Sequence, residues 1–250
     1  YQHNIRGFAS KKEALYQNLQ QQQPHVCLLQ ECFKSFNPIK DFAFNLQYNP
    51  TFGESGRACI LSRCDLVTKQ HQFLNNIKNK YNNIGYESCW ISLTWPKNQP
   101  ILFCSLYRNQ KYNPQQTIYQ PPPSSFFPIF HYFQLEVLEA KRISSNIVIG
   151  GDFNAKHVIW GSSESDVIGE ELYDFAVQNG LFIKNNGQDT YITPHSSSCL
   201  DITLCSSTLT RLISNWSSDN QEFDVGSDHE PVTFNLLIQS YQNRLDSVPH

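Results

Sequence analysis

The tract Ile147-Val148-Ile149-Gly150-Gly151-Asp152-Phe153-Asn154 constrains this chain more than any other. Three consecutive branched apolar residues stopped by glycines read as a buried strand. Such a strand needs a packed sheet around it. The carboxylate and the carboxamide that follow stand where the strand ends, and in an extended chain residues two apart point to the same side. That arrangement suits holding a water and polarising the group it attacks. Three further polar clusters sit in comparable places. Gln30-Glu31 follows Val26-Cys27-Leu28-Leu29, Leu200-Asp201-Ile202 lies inside a strand-like run, and Ser227-Asp228-His229 precedes the apolar segment 232–238. Strand ends and turns are where a sheet presents chemically active groups.

Residues 2–5 alternate like a short strand, and 11–20 place Leu15 and Leu19 at helical spacing before Pro24 stops them. The glutamines at 20–23 read as the solvated end of that helix. Strands are expected at 26–29, 57–61, 88–94 and 101–107, where Val, Ile, Cys and aromatics lie between turn formers. Residues 109–128, with Pro121-Pro122-Pro123, read as an irregular loop. A helix over 129–143, a strand over 146–150 and an exposed helix over 170–179, stopped by Gly180, come next. Short strands at 181–184, 199–204 and 232–238 complete the pattern, with 193–198 as a polar hairpin tip. Strands flanked by a few separated helices imply an α/β fold of two packed sheets with helices outside.

A chain of 250 residues with 40% hydrophobic content supports one substantial core. One domain over 1–238 is expected, followed by a tail or start of a linker at 239–250. No apolar stretch approaches the roughly 18 residues of a membrane span, and no signal-peptide pattern opens the chain. An intracellular, non-secreted protein with no membrane partner is expected. Methionine is absent even at Tyr1, so either a segment of a longer polyprotein or a chain whose leader is not shown is expected. Six of the eight cysteines (Cys27, Cys59, Cys89, Cys104, Cys199 and Cys205) lie in apolar strand-like runs with no Cys-x-x-Cys pair, so reduced core thiols are expected. A formal net charge of −3 gives no global attraction to a polyanion. Nucleic-acid binding then needs a local basic face, for which Lys34, Lys40, Arg57, Arg108, Lys111, Lys141, Arg142 and Lys156 are available.

The order Asn4, Glu31, Tyr107, Asp152-x-Asn154, Asp201, Ser227-Asp228-His229 resembles the endonuclease/exonuclease/phosphatase superfamily typified by DNase I, exonuclease III and the apurinic/apyrimidinic endonucleases. The resemblance spans nearly the whole chain. Within that superfamily, Gly151-Asp152-Phe153-Asn154-Ala155-Lys156-His157-Val158-Ile159-Trp160-Gly161 is similar to the endonuclease domain of non-LTR (LINE-type) retrotransposons. Asn185-Asn186-Gly187 ahead of Thr190-Tyr191, and Ser227-Asp228-His229-Glu230-Pro231-Val232, fit the same subfamily. The resemblance implies a four-layer αββα sandwich with the site at one edge of the two sheets.

Cleaving a phosphodiester takes an in-line nucleophile, a Lewis acid for the charge on the phosphoryl oxygens, and a proton or metal for the leaving alkoxide. The resemblance implies Mg²⁺, with Mn²⁺ as an alternative, held at Glu31 with Asn4 and Asp228 supporting. Asp152 would orient and deprotonate water, Asn154 would donate to the phosphate, and His229, paired with Asp201 or Asp228, would bind the phosphate as an imidazolium. Tyr107 is matched to a phosphate-contacting tyrosine, although Arg108-Asn109-Gln110 stand where the family usually places a proline soon after it. Ser227 and Thr190 would support the network. Arg108, Lys156, His157, His195 and Ser196 are the expected DNA contacts, while Trp160 reads as packing. The implied activity is nicking of one strand of double-stranded DNA, leaving a 3′-hydroxyl that primes reverse transcription by a reverse transcriptase domain in the same polypeptide, in the nucleus during integration. An abasic-site repair endonuclease, a phosphatase or phosphodiesterase for inositol phosphates, sphingomyelin or poly(A), and a non-catalytic scaffold are the rival readings.

Overall fold

Alternation along the strands sets the layers. The computed structural model describes residues 1–32, 47–74, 85–95, 99–110, 130–218 and 224–238. In β2 (Val26–Gln30) and β4 (Ala58–Arg63), Val26, Leu28, Ala58 and Ile60 point one way, and Cys27, Leu29, Cys59 and Leu61 point the other. The second set packs with Phe8, Leu15 and Leu19 of helix α1 (Phe8–Gln22). The first set faces Cys89, Ile91 and Leu93 of β6 (Tyr86–Thr94), Ile101 and Phe103 of β7 (Ile101–Arg108), and Val148 of β8 (Asn146–Asp152). The opposite faces of those strands, through Trp90, Leu102, Cys104, Ile147 and Ile149, pack on Phe133 and Val137 of α2 (His131–Ile143) and on Leu172 and Phe175 of α3 (Val167–Gln178). Helix, sheet, sheet and helices therefore stack as four layers, because period-two residues on both faces of each sheet are apolar.

One sheet runs β1-β2-β4-β3, with β1 (Gln2–Asn4) parallel to β2 and β3 (Tyr48–Phe52) at the edge. The other runs β5-β6-β7-β8-β12-β9, with β5 (Val67–His71) and β9 (Leu181–Ile183) at its edges and β12 (Asp201–Ser206) beside β8. A hairpin of β10 (Tyr191–Thr193) and β11 (Ser196–Ser198) stands apart. A ribbon of β13 (Ile213–Ser217) and β14 (Thr233–Leu236) joins the first sheet through reciprocal backbone bonds of Gln2 and Val232, both 2.8 Å.

The expected strands and helices are present with shifted ends. α1 starts three residues before the apolar periodicity does, runs through the exposed glutamines, and closes with Gln23 in the left-handed region at φ 44°. β3, β5 and β13 were not expected. The first two are edge strands, and a polar edge strand, or one holding Pro50, lacks the apolar signature of a central one. All eight cysteines are free thiols, as expected. No described helix is long and apolar enough to cross a membrane. Residues 111–129 of the expected loop and helix start, the 239–250 tail, Lys34, Lys40 and Lys111 lie outside the described residues.

Candidate active site

The alternation that builds the core also builds the site. Moving along the inward faces toward one edge, Val26, Leu28, Val148, Phe103 and Cys205 give way to Gln2, Gln30, Ser105 and Thr203. These polar groups tie the sheets together. Gln30 Nε2 donates to Ser105 Oγ at 2.9 Å, and Thr203 Oγ1 donates to Gln2 Oε1 at 3.1 Å. The sheets approach so closely here that a Cβ on Gly150 would meet Leu28 Cδ1 at 2.7 Å, and within its own sheet a Cβ on Gly151 would overlap the carbonyl of its ladder partner Leu106. The glycine pair before Asp152 is a packing requirement.

Two residues further on, the same inward positions hold the expected site residues. Tyr107 on β7, Asp152 on β8 and Asp201 on β12 are ladder partners in one row. Asn4 and Glu31 face them from the ends of β1 and β2. The Asn4 amide nitrogen donates to Glu31 Oε1 at 2.9 Å and to Asp152 Oδ2 at 2.8 Å, so one carboxamide holds two carboxylates together. Its oxygen accepts from Arg6 N at 3.1 Å, which makes Asn4 a positioning group in this arrangement. Glu31 is half-buried and in the left-handed region at φ 54°, whereas Asp152 is only 2% exposed.

His229 Nδ1 lies 2.8 Å from Asp201 Oδ2, and its Nε2 lies 3.9 Å from Asp152 Oδ2. This settles the pairing left open by the sequence: Asp201 holds His229. Burial pushes the His229 pKa down, but the Asp201 charge and hydrogen bond, with Asp152 and Asp228, carry it up to about 9. Asp201 Oδ1 has no hydrogen-bond partner among the described residues, so this buried carboxylate leans on the imidazolium. Burial raises Asp152 well above the usual carboxylate range; His229 opposes this, Asp201 adds to it, and the bonds from Asn154 and Asn4 oppose it. Burial and then the charges of Glu31 and Asp152 push Tyr107 up to about 12, so its phenol keeps its proton.

Supporting bonds fix the loops. Thr190 Oγ1 accepts from the backbone of Leu200 and Asp201 at 3.0 and 2.9 Å. Ser227 Oγ donates to the Asn4 carbonyl at 2.8 Å and accepts from His229 N at 3.2 Å. His3 was not anticipated from sequence: its Nε2 donates to the His229 carbonyl at 2.8 Å, and its Nδ1 bonds the Tyr1 hydroxyl at 2.8 Å. Burial pushes His3 down to about 4, so it stays neutral and serves as a strut. Asn185 bonds both the Asp201 carbonyl and Thr203 N at 2.9 Å. Gly187 lies so close to Gly161 that a Cβ on the latter would meet Gly187 Cα at 2.5 Å, which joins the Trp160-Gly161 and Asn185-Asn186-Gly187 motifs in space. Tyr191 packs on the His229 ring at 4.9 Å.

Four expectations need correction. The chain after Asp152 is not extended, because Asn154 turns left-handed at φ 46°. A tight turn results in which the backbone Asn154 N donates to Asp152 Oδ1 at 2.9 Å. Asp228 pairs with Arg6 at the surface and not with His229 or Glu31. Arg108 is buried at 4% exposure, exchanging bonds with Asn154: its Nη1 donates to the Asn154 carbonyl at 3.0 Å, and Asn154 Nδ2 donates to the Arg108 carbonyl at 2.8 Å. His157 is also buried, stacked on Tyr173 at 5.1 Å and accepting from Ile159 N, so it shapes the loop that carries Trp160. Lys156 and Ser196 line a cavity of about 190 Å³ beside Asn154 and Tyr191, while His195 is exposed at the hairpin tip.

No group of three or more His, Cys, Asp or Glu side chains placed for a metal occurs among the described residues. Glu31 and Asp152, joined through the Asn4 amide, present a two-carboxylate, all-oxygen donor set. That chemistry fits Mg²⁺, which is commonly held by one or two carboxylates together with waters and substrate phosphate.

Residues 101–233, more than half of the chain, match the family described as endonuclease-reverse transcriptase. A probable RNA-directed DNA polymerase from transposon BS of Drosophila melanogaster is 29% identical over 96 residues, which are 37% of this chain and 10% of that protein. Among solved structures, the endonuclease domain of TRAS1, a telomere-specific non-LTR retrotransposon, superposes with a TM-score of 0.69 at 20% identity, covering 96% of this chain and 97% of that one. An AP endonuclease from Leishmania major gives 0.65 at 12% identity, covering 95% and 87%. A 3′-5′ exonuclease from Neisseria meningitidis gives 0.63 at 15%, covering 94% and 98%. The chain belongs to the endonuclease-reverse transcriptase family, hydrolytic nucleases within the endonuclease/exonuclease/phosphatase superfamily.

Proposed function

We propose that this domain is a Mg²⁺-dependent endonuclease, with Mn²⁺ as an alternative, that nicks one strand of double-stranded DNA to leave 3′-hydroxyl and 5′-phosphate ends. In a LINE-type element the 3′-hydroxyl would prime reverse transcription by a reverse transcriptase domain in the same polypeptide, acting in the nucleus. The observation that carries this reading is the pair of carboxylates joined by Asn4, with the imidazole of His229 held beside them by Asp201.

Glu31, with Asp152 beside it, would hold the cation, which supplies charge neutralisation for phosphoryl oxygens and the leaving alkoxide. The chain's own groups do the rest. Asp152, raised toward neutral pH by burial, is suited to accept the proton of the attacking water. Nδ1 of His229 must donate to Asp201, because a carboxylate only accepts, and the imidazolium then offers Nε2–H to the scissile phosphate. Asn154 spends one amide hydrogen on the Arg108 carbonyl and keeps the other for a phosphate oxygen. The protonated Tyr107 hydroxyl donates from the row beside Asp152.

The test is a substrate panel of supercoiled plasmid, abasic duplex, poly(A) and inositol phosphate, each with Mg²⁺ or EDTA. Plasmid nicking that disappears in EDTA and returns with Mg²⁺ or Mn²⁺ supports the reading. Undiminished nicking in EDTA, or turnover of abasic duplex alone, contradicts it.

A further inference from the structure

Two arginines stand on either side of the acid pair, and the roles assigned above use neither. Arg6 follows Asn4 by two residues in the left-handed region at φ 45°. Its guanidinium carbon lies 5.7 Å from the Tyr191 ring centroid, and its Nη1 pairs with Asp228. Arg57 immediately precedes β4, with its guanidinium carbon 5.7 Å from the Tyr107 ring centroid. The backbones of both are tied to the groups that hold the site. Arg6 N donates to Asn4 Oδ1, and the Arg57 carbonyl accepts from Glu31 N at 2.7 Å. The main chain that carries each cation is thereby fixed relative to Asn4 and Glu31.

An aromatic face orients a guanidinium without using its hydrogen-bond donors, and the planar fork matches phosphate oxygens. Among the described residues Arg6 commits only Nη1, to Asp228, and its side chain is 47% exposed, so the rest of the fork is presented to solvent. A surface ion pair of this kind is worth little in itself. Its effect here is to anchor the arginine and to occupy Asp228. With a chain charge of −3 and two carboxylates at the cut, a DNA backbone needs local cations, and the expected contacts Arg108 and His157 are buried.

We propose that Arg6 and Arg57 form a clamp for the DNA backbone phosphates flanking the cut, with Asp228 serving as the anchor of Arg6 and not as a metal ligand. This rests on the nuclease reading above and names the groups that hold its substrate.

The experiment is binding of a labelled duplex in EDTA, where no strand is cut, followed by anisotropy from about 50 to 200 mM salt. Arg6→Ala and Arg57→Ala should each flatten the slope of log affinity against log salt by about one, and the double variant by about two. Arg142→Ala, an exposed cation on the outer helix, should leave the slope unchanged. In parallel, Mn²⁺ titration followed by electron paramagnetic resonance should show the same affinity for Asp228→Asn as for the wild type, and a large loss for Glu31→Gln. Unchanged slopes in both arginine variants overturn the clamp, and Mn²⁺ weakened as much by Asp228→Asn as by Glu31→Gln overturns the anchor role. A wild type that neither binds duplex nor nicks plasmid would instead remove the nuclease reading, which separates the two failures.

Discussion

Replacing Asp201 with Asn isolates the electrostatic part of the site. The amide keeps an oxygen to accept from His229 Nδ1, and the Thr190 hydroxyl still caps the backbone NH of position 201, so geometry is retained while one buried charge is removed. His229 titrates near 9 in the native protein although burial opposes its protonation. Without the Asp201 charge its pKa falls toward the ordinary value of about 6.5, because burial is then opposed only by Asp152 and Asp228. For a variant pKa of about 6.5 the imidazolium fraction at pH 7.5 drops from about 97% to about 9%, roughly a tenfold loss of rate from charge alone. Because the folded pKa exceeds the unfolded one, the contribution of His229 to stability is full below about pH 6.5 and is lost as pH rises through about 9. Initial plasmid-nicking rates from pH 5.5 to 9.5, at constant metal, read the first effect. The wild-type to Asp201→Asn ratio should grow about tenfold per pH unit above about 6.5, level off near 9, and shrink toward the acid end. Urea midpoints of the two proteins should likewise converge above about pH 9. A rate deficit that is constant across pH would show that Asp201 only orients the ring, and the charge argument would be wrong.

Asp152→Ala and His229→Ala should each lower nicking by at least about 10²-fold with unchanged circular dichroism; near-normal rates in a folded variant would misplace the site. Glu136, fully buried on α2, accepts bonds from Tyr86, Ser88 and Trp90 of β6 at 2.9, 2.6 and 2.8 Å. Glu136→Leu removes the acceptor of three hydrogen bonds and should destabilise by about 3–5 kcal/mol, a fall of roughly 10 °C in Tm by calorimetry. Replacing residues 194–198 with a short glycine-containing turn should redistribute nick positions along a long duplex while supercoiled DNA is still cut. An unchanged nick map from an active variant would move target choice elsewhere.

Residues whose chemistry is uncommon at their place in the chain are legible in the sequence alone. Asp152, Asn154, Glu31 and Asp201 each follow or interrupt an apolar run and His229 stands just before one, and a polar group at the end of a buried strand has few structural uses. The layers are legible for a related reason: Ile147-Val148-Ile149 and Val26-Cys27-Leu28-Leu29 are apolar at every position, which only a strand covered on both faces tolerates. What the sequence hides depends on contacts between distant segments. His3 and Tyr1 carry no local sign that they brace the His229 carbonyl more than two hundred residues away. Arg108 and His157 read as surface cations because burial of a polar group is decided by partners, here the Asn154 carbonyl and the Tyr173 ring. Asp228 sits in the same tripeptide as His229, yet alternation sends the two side chains to different neighbours.

The chemistry of the cut end tests the account most directly. Plasmid nicked by the wild-type domain in Mg²⁺ should be an open circle whose 3′ end a polymerase extends without prior phosphatase treatment. Ends that extend only after a phosphatase has acted would contradict both the leaving-group assignment and the priming role.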